Sequence, residues 1–383
     1  MLWIAVIILI FFIIYPYAVY PLILKFLPKQ NTSYEKIEMD SVGKISVTLF
    51  IAAFNEEKVI AAKLENSLKL NFSGMDYEIV VGSDGSTDAT NQIVRQYEKI
   101  HSNIKLLDFK ERQGKVNVLN RGIPLCKGDI ILLSDANAMY NSECLQYIVP
   151  HFQDPSVGCV AGEKRMLQTG EMISKNEGLY WKLESKIKQW ESQVKTVIGA
   201  DGACYAIRRS LFINLPSNTA VDDFLLSMKI VEQGYRIAYE PKAFSIEEAG
   251  SSMQQEWSRK TRIAAGNYFN IQFLTKFFQP SLVSFMFFSH KFLRWISPFL
   301  FILLTGTLCV LSYNSLIARL MYVLLLISYL VAFLEYKQYQ LGILQYKFFH
   351  IITYFYVTVA AQFVGFLKEI KGTQMAIWDT IRN

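Results

Sequence analysis

The stretch Asp129-Ile-Ile-Leu-Leu-Ser-Asp-Ala-Asn137 predicts a buried strand that ends in polar side chains. Its apolar run, residues 130–133, is short and unbroken, as in a strand covered on both faces of a parallel sheet. In open α/β sheets, ligands bind beyond the carboxyl ends of the strands. Asp135 and Asn137 therefore offer oxygen ligands to a divalent cation that also binds phosphate, although the same residues suit a turn that caps a helix.

The rest of residues 45–267 alternates predicted strands and helices, which is typical of βαβ units and a parallel sheet. Strands are predicted over residues 45–54, 77–81, 104–107 and 130–133. Helices are predicted after the first strand to about Leu70, after the second strand with an apolar stripe from Ile93 to Ile100, and over residues 115–125. Three strand ends then present carboxylates or amides at one edge of the sheet: Asn55 with Glu56, Asp84, and Asp135 with Asn137. Three such ends in succession indicate a site of nucleotide size.

Common nucleotide-binding motifs do not explain this site. The sequence has neither a G-x-G-x-x-G after the first strand nor a G-x-x-x-x-G-K-[ST] motif. Gly114-Lys115 either cradles a phosphate at a helix N-terminus or merely turns the chain.

Further candidate residues lie downstream. Asp222 and Asp223 begin an amphipathic helix that Gly234 should end, and because neighbouring helical residues diverge, only one of the two can face a given substrate atom. Both acids also suit a helix cap. Arg259 and Arg262 share a helix face, where they either clamp a diphosphate or form the basic rim expected beside a membrane.

The N-terminus is apolar enough to enter a membrane. Residues 2–24 carry no charge and are followed by Lys25 and Lys29, so we expect a retained transmembrane anchor over residues 1–27 with its C-terminal end in the cytosol. A polar linker is predicted over residues 28–44.

The C-terminal region is also apolar. Residues 268–291 are aromatic but interrupted by charge and proline, which predicts an interfacial helix, and residues 292–383 predict a transmembrane region with its tail. The candidate spans are residues 292–310, 316–334 and 348–367. Three spans would place the tail outside the cytosol, whereas Lys368 and Lys371 favour a cytosolic tail, unless one segment lies along the membrane.

The net charge and the spacing of the cysteines argue against some classes of protein and of metal site. The 383 residues carry a net charge of +6 without a basic run, which suits a protein at a membrane and excludes nucleic acid as the expected partner. The five cysteines have no paired spacing, which argues against a zinc site and against a disulfide framework.

Taken together, residues 45–267 resemble the membrane-bound branch of the family 2 glycosyltransferases, which builds bacterial surface polysaccharides. The matching motifs are Ala53-Phe54-Asn55-Glu56-Glu57, Ser83-Asp84-Gly85-Ser86-Thr87-Asp88, Gly114-Lys115, Ser134-Asp135-Ala136-Asn137, Asp222-Asp223-Phe224, Gly234-Tyr235, Glu240-Pro241 and the tail Trp378-Asp379-Thr380-Ile381-Arg382. The resemblance implies a GT-A fold, a catalytic domain in the cytosol at the plasma (inner) membrane, and an inverting transfer from a nucleotide sugar, with UDP favoured over GDP.

The resemblance also implies residue roles. On the donor side, Ala53, Asn55 and Glu56 would lie beside the base, Asp84 would bind base or ribose, Lys115 would approach the nucleotide, and Arg259 and Arg262 would assist. Asp135 and Asn137 would hold Mg²⁺ or Mn²⁺ with the donor diphosphate, and Asp223 would be the general base beside Asp222. We assign Asp201 and Gly202, in the loop before the next strand, to the acceptor side.

Two departures from the family pattern refine the expectation. Asn137 replaces a second Asp, which should weaken metal binding in the absence of donor. The Arg-Trp pair of the Q-x-x-R-W motif of processive synthases is missing after Gln254 and Gln255. We therefore expect one sugar to be added to a lipid-linked or membrane-held glycan acceptor. The alternatives are a processive synthase, a nucleotidyltransferase, or a non-catalytic scaffold for polysaccharide-assembly proteins.

Overall fold

The computed structural model describes residues 1–30, 45–72, 74–167, 172–248, 253–340 and 347–373. Most of the predicted linker and the tail motif at residues 378–382 lie outside the described residues. The described strands are β1 Ser46–Ala53, β2 Asp76–Asp84, β3 Ile104–Phe109, β4 Ile130–Asp135, β5 Met139–Tyr140, β6 Val157–Leu167, β7 Tyr205–Arg208 and β8 Arg236–Glu248. The described α-helices are α1 Leu2–Ile14, α2 Val19–Phe26, α3 Ile60–Leu68, α4 Thr90–Ile100, α5 Lys115–Gly122, α6 Cys144–Ile148, α7 Met172–Val194, α8 Asp222–Glu232, α9 Met253–Ile271, α10 Leu282–Phe287, α11 Leu293–Trp295, α12 Ser297–Ser312, α13 Leu316–Gln340 and α14 Lys347–Ile370.

The chain divides into two compact units. The first, the sheet unit, comprises Pro28–Leu167 and Glu184–Ala249 as far as their residues are described. The second, the helical unit, comprises Met1–Leu27, Gln168–Leu183 and Gly250–Gln374 within the same limit.

All described strands form one mixed sheet in the order β3-β2-β1-β4-β7-β6-β8-β5. The first four strands of this order run parallel to one another, so the carboxyl ends of β1, β2 and β4 meet at one edge. Strand β7 runs antiparallel to both β4 and β6, while β6 and β8 are parallel. The parallel half of the sheet therefore builds one rim of strand ends, as the sequence predicts.

Strand β1 lies between β2 and β4 and is buried on both faces. Its residues from Val47 to Ala53 are all buried. On one face, Leu49 and Ile51 join an apolar cluster that includes Ile60 and Leu64 of α3. Burial on both faces explains the unbroken apolar sequence of this strand.

The four strands predicted in residues 45–133 are confirmed as β1 to β4. The predicted helix over residues 115–125 is shorter, because α5 ends at Gly122 and Ile123–Leu125 tightens into a 3₁₀ turn. Pro124 explains this change, since proline supplies no backbone N–H for a continuing α-helix.

The helical unit contains bent helix pairs where the sequence predicts continuous apolar segments. Helices α1 and α2 are bent by 63° around Pro16, and the segment Leu282–Trp295 meets α12 at 63° as well. Proline inside a helix removes a hydrogen bond and clashes with the preceding turn, which accounts for the first bend. Among the described residues, Leu316–Lys337 is long and apolar enough to cross a membrane by itself, and each bent pair adds one crossing if it counts as one span.

The predicted interfacial helix over residues 268–291 is divided into shorter pieces. Helix α9 ends at Ile271, a 3₁₀ turn covers Thr275–Phe278, and α10 begins after Pro280. Ser281 caps α10, because its side chain accepts a hydrogen bond from the Ser284 amide at 3.0 Å. Helices α12 and α13 follow with a short turn between them, where the sequence predicts a hairpin of membrane helices.

Candidate active site

The strand register places the predicted donor residues at one edge of the sheet. Asp135 of β4 lies beside Ala52 of β1, and Ala53 lies beside Ser83 of β2. Ala53 is fully buried in its strand. The three strand ends predicted to meet are thus neighbours in the sheet.

The loop after β1 is fastened to the loop after β2. Asn55 has a φ of +50°, which a short polar side chain tolerates, and its Oδ1 accepts a hydrogen bond from the Thr87 amide at 2.8 Å. The Glu56 amide donates to Thr90 Oγ1 at 2.8 Å. These bonds fix the position of both loops beside the predicted base site.

Asp84 organises the loop that precedes α5. It is 2% exposed, and its two carboxylate oxygens accept hydrogen bonds from the amides of Gln113 and Gly114 at 2.8 and 2.7 Å. Gly85 allows the close approach, because it has a φ of +68° and a Cβ there would lie 2.9 Å from the Arg112 nitrogen. The contact of Asp84 with base or ribose stays a prediction, whereas its hold on this turn positions Lys115.

Lys115 joins two of the predicted site carboxylates. Its Nζ lies 2.8 Å from Asp135 Oδ1 and 3.4 Å from Asp222 Oδ2. Burial alone would lower the pKa of Lys115, but Asp135 and Asp222 overcome this effect and raise the pKa above its usual value. We call these three residues the Lys115 cluster; the sequence predicts its members, but not their contact.

Asp222 and Asp223 point in different directions, as their helical spacing predicts. Asp222 faces Lys115, whereas Asp223 lies against the loop predicted to meet the acceptor, since a Cβ on Gly202 would be 3.0 Å from Asp223 Oδ2. Burial and then the Asp222 charge raise the pKa of Asp223 to about 7, with Asp201 adding to the rise and Lys115 opposing it. A carboxylate with this pKa suits proton abstraction near neutral pH.

Asp201 is held by a lysine that the sequence analysis missed. Lys188 of α7 is 2% exposed and forms an ion pair with Asp201. Burial alone would lower the pKa of Lys188, but Asp201 and then Glu184 raise it above its usual value. The signal in the sequence is the alternation of charge in Glu184, Lys188 and Glu191, which share one face of α7.

A second missed lysine supports the segment after Asp135 and Asn137. Lys63 of α3 is fully buried, donates a hydrogen bond to the Ala138 carbonyl at 2.5 Å, and lies 4.0 Å from the centre of the Tyr140 ring. Burial lowers the pKa of Lys63 to about 7. No sequence pattern around Lys63 distinguishes it from an exposed helical lysine.

The residues at the end of β4 fit a divalent cation that binds together with its substrate. In the described parts of the chain, no group of three His, Cys, Asp or Glu side chains lies close enough to hold a metal ion alone. Asp135 and Asn137 offer two oxygen ligands, and the buried Asp222 Oδ2, which is ion-paired with Lys115 at 3.4 Å, accepts no hydrogen bond. Mg²⁺ commonly takes one or two protein carboxylates and completes its shell with phosphate and water, so this donor set is sufficient.

Arg259 and Arg262 lie on α9 of the helical unit. The Arg259 guanidinium forms a two-point ion pair with Glu256, with nitrogen–oxygen distances of 2.9 Å. Their contact with a donor diphosphate stays a prediction.

Comparison with known sequences identifies relatives of the part of the chain that contains the sheet unit. A profile described as "Glycosyltransferase like family 2" matches residues 44–266. The poly-beta-1,6-N-acetyl-D-glucosamine synthase of Staphylococcus aureus (strain COL) is 26% identical over 227 residues, covering 58% of this chain and 54% of the relative. The probable glycosyltransferase YdaM of Bacillus subtilis (strain 168) is 28% identical over 267 residues, covering 66% of this chain and 62% of the relative. The matches therefore span little more than half of each relative.

Comparison with solved structures shows a similar fold over a longer part of the chain. The mannosyltransferase PcManGT of Pyrobaculum calidifontis, solved in complex with GDP-Man and Mn²⁺, aligns with a TM-score of 0.74 at 21% identity. The alignment covers 97% of this chain and 99% of that protein. At this identity the likeness establishes the fold alone.

Proposed function

Because this chain belongs to glycosyltransferase-like family 2, we propose that it transfers a sugar from a nucleotide sugar to a lipid-linked or membrane-held glycan in cell-surface polysaccharide synthesis. Its mostly parallel sheet with flanking helices is the GT-A fold that the sequence predicts. A UDP-sugar is the preferred donor, and the anomeric configuration is inverted.

The observation that carries this proposal is the Lys115 cluster with Asp223 beside it. Asp135 lies at the carboxyl end of β4, where we propose that the donor binds, and Lys115 connects it to Asp222, the neighbour of the predicted base. Groups suited to a leaving diphosphate and a group suited to proton removal therefore occupy one site.

On the donor side, Asn55, Glu56 and Asp84 build the loops that would surround the base and ribose, with the buried Ala53 beneath them. Asp135 and Asn137 would hold Mg²⁺ or Mn²⁺. When bound, the cation would neutralise charge on the diphosphate. Lys115 would add a positive charge to the same leaving group, and Arg259 and Arg262 would assist.

On the acceptor side, Asp223 would remove the proton from the attacking hydroxyl. The new bond joins that oxygen to the anomeric carbon, while the bond from this carbon to the diphosphate oxygen breaks and its electron pair leaves with the nucleotide. In-line attack of this kind inverts the anomeric carbon. Asp201 and Gly202 would line the approach of the acceptor, with Lys188 holding Asp201 in place.

The helical unit supports a membrane location. We place the protein in the plasma (inner) membrane as a multi-pass protein with its catalytic domain in the cytosol, in contact with polysaccharide-assembly proteins. The apolar segment Leu316–Lys337 and the two bent pairs support this placement by their length and composition.

Processive synthesis is the alternative function, and the similarity to poly-beta-1,6-N-acetyl-D-glucosamine synthase favours it. The missing Arg-Trp pair after Gln254 and Gln255 favours single addition. Product length separates the two: single addition lengthens a defined acceptor by one sugar, whereas a synthase yields a ladder of longer products.

The test is nucleoside-diphosphate release by membranes that contain the full chain, across a panel of UDP- and GDP-sugars, with and without chelator. We expect release with one preferred donor and its loss with chelator and in Asp223→Asn. Asp76→Asn, at the opposite end of β2 from the site, is the matched control and should retain activity. Full activity of Asp223→Asn would show that Asp223 is not the general base. No release with any donor, even with added membrane lipid extract as acceptor, would favour the scaffold reading.

A further inference from the structure

Lys115 occupies a position between two carboxylates that a divalent cation would also seek. The ammonium lies 2.8 Å from Asp135 and 3.4 Å from Asp222, and the lysine side chain is 19% exposed. Asp222 is itself 7% exposed, so its charge is shielded from solvent and depends on a local positive partner. Within the sheet unit, Lys115 supplies that partner.

The turn before α5 fixes the backbone position of Lys115. Lys115 is the first residue of α5, and the preceding Gly114 donates its amide hydrogen to the buried Asp84 carboxylate at 2.7 Å. Gly114 has a φ of +91°, a conformation that glycine adopts readily. The turn therefore directs the Lys115 side chain toward Asp135 before any substrate is present.

A resident ammonium and a divalent cation compete for the same carboxylate. Their like charges repel at contact distance, and the interaction is strong because the surroundings are partly desolvated. A bound diphosphate changes this balance, since it offers Lys115 another anionic partner and offers the cation further oxygen ligands.

We propose that Lys115 is a built-in counter-ion that keeps Asp135 closed to divalent cations until an anionic diphosphate draws the ammonium away. Metal binding then follows or accompanies donor binding, and a free cation does not tie Asp135 and Asp222 together in the absence of donor. This inference rests on the proposed function for the identity of the anion. Weak metal binding in the absence of donor then has two causes, the replacement of an Asp by Asn137 and the positive charge of Lys115 beside Asp135.

The experiment measures Mn²⁺ binding to the detergent-solubilised full chain by the electron paramagnetic resonance signal of free Mn²⁺. Mn²⁺ is titrated alone, and then with UDP or GDP after correction for Mn²⁺ that binds the nucleotide in solution. Wild type, Lys115→Met and Lys115→Arg are compared. Lys110→Met removes one charge from an exposed lysine of the same unit, and Asp135→Asn identifies the site.

Without nucleotide, we expect Lys115→Met to bind Mn²⁺ at least about tenfold more tightly than wild type, as removal of a like charge at contact distance implies. Lys115→Arg and Lys110→Met should stay near wild type, and Asp135→Asn should abolish the gain when combined with Lys115→Met. A nucleoside diphosphate should tighten Mn²⁺ binding more in wild type than in Lys115→Met. Equal or weaker Mn²⁺ binding by Lys115→Met in the absence of nucleotide would overturn the proposal.

If the Lys115 variants do not fold, a second measurement on the wild-type protein alone tests the proposal. Mn²⁺ affinity that is unchanged by saturating UDP and by saturating GDP would also overturn the proposal. Neither readout requires sugar transfer, so the inference can stand if no donor is turned over, and it can fail while transfer is observed.

Discussion

At the scale of single residues, burial brings the pKa values of two oppositely charged groups, Asp223 and Lys63, to about 7. Burial disfavours the charged form, which raises the pKa of the acid and lowers the pKa of the amine. The Asp222 carboxylate adds to the shift of Asp223, whereas Lys63 keeps a partner in the Ala138 carbonyl in either protonation state. The two residues thus titrate in the physiological range without any histidine.

The first prediction concerns the pH dependence of catalysis. A general base works only when deprotonated, so kcat/KM, which reports the free enzyme, should be low below pH 7 and should rise through the Asp223 pKa of about 7. Asp223→Asn should lower kcat/KM by about 10²- to 10⁴-fold and remove this rise. The measurement is a pH–rate profile of nucleoside-diphosphate release at donor concentrations well below KM, with Asp76→Asn as the control. A profile of unchanged shape in Asp223→Asn would assign the titration to another group.

The second prediction concerns the stability of the fold. The pKa of Lys63 is about 7 in the folded chain and 10.5 as an ordinary lysine, so between these values the unfolded state binds the proton and the folded state does not. Stability therefore rises with pH inside this window and becomes independent of Lys63 below it, where both states are protonated.

Lys63→Met tests this linkage. It removes the titrating group and leaves the Ala138 carbonyl without its donor, at a cost of about 1–3 kcal/mol when the lysine is neutral. We expect the advantage of wild type in thermal midpoint to grow between pH 7 and pH 9 and to be smallest at pH 6. Lys110→Met, which changes an exposed lysine, should follow wild type at every pH. A difference that shrinks as pH rises would contradict the linkage.

At the scale of elements, local pattern was sufficient for the parallel half of the sheet. Strands β1 to β4 have apolar runs that end in turn residues, and each such run can be recognised from its own sequence without knowledge of the other strands. The short strand β7 was harder to place, because its position between β4 and β6 depends on pairing with distant segments. The bend between α1 and α2 could have been predicted from the sequence, since Pro16 lies in the middle of the apolar N-terminal segment.

The candidate site was predicted by residue type and only partly by geometry. The divergence of Asp222 and Asp223 follows from helical spacing and was foreseeable. The contact of Lys115 with both Asp135 and Asp222 was not, because it joins side chains of α5, β4 and α8 that only the tertiary fold brings together. Lys63 and Lys188 were missed because a buried lysine has no local signature.

The third prediction concerns the loop that faces Asp223. A Cβ at Gly202 would lie 3.0 Å from Asp223 Oδ2, so Gly202→Val should displace the carboxylate. A shift of this kind should reduce kcat by about 100-fold with little change in thermal midpoint. Gly306→Ala is the control for adding a side chain to a glycine far from Asp223, because its new Cβ meets nothing within 4 Å. Normal kcat in Gly202→Val would mean that Asp223 is not positioned by this loop.

At the scale of the whole molecule, the bent helix pairs lead to a prediction about the conflict between span number and charge. If each bent pair crosses the membrane once, they make three crossings together with Leu316–Lys337, and helix α14 starts on the cytosolic side. Helix α14 packs on α9, where a Cβ at Gly365 would lie 2.5 Å from Ala264 Cβ, and on α13, where the Tyr356 hydroxyl lies 2.8 Å from Ser328 Oγ. We predict that α14 does not cross the membrane completely. Lys368 and Lys371 are cytosolic in this arrangement, as the positive-inside rule expects.

The fourth prediction follows from this topology and uses single cysteines in right-side-out membrane vesicles. Asn314→Cys, in the turn between α12 and α13, should react with a membrane-impermeant thiol reagent without permeabilisation. Thr373→Cys, just after α14, is exposed in the structure and should react only after permeabilisation. Cys309→Ser supplies the background, because Cys309 is the described native cysteine that is not buried. If Thr373→Cys reacts from outside, α14 crosses the membrane, and the basic residues at its end then lie on the external face against the charge rule.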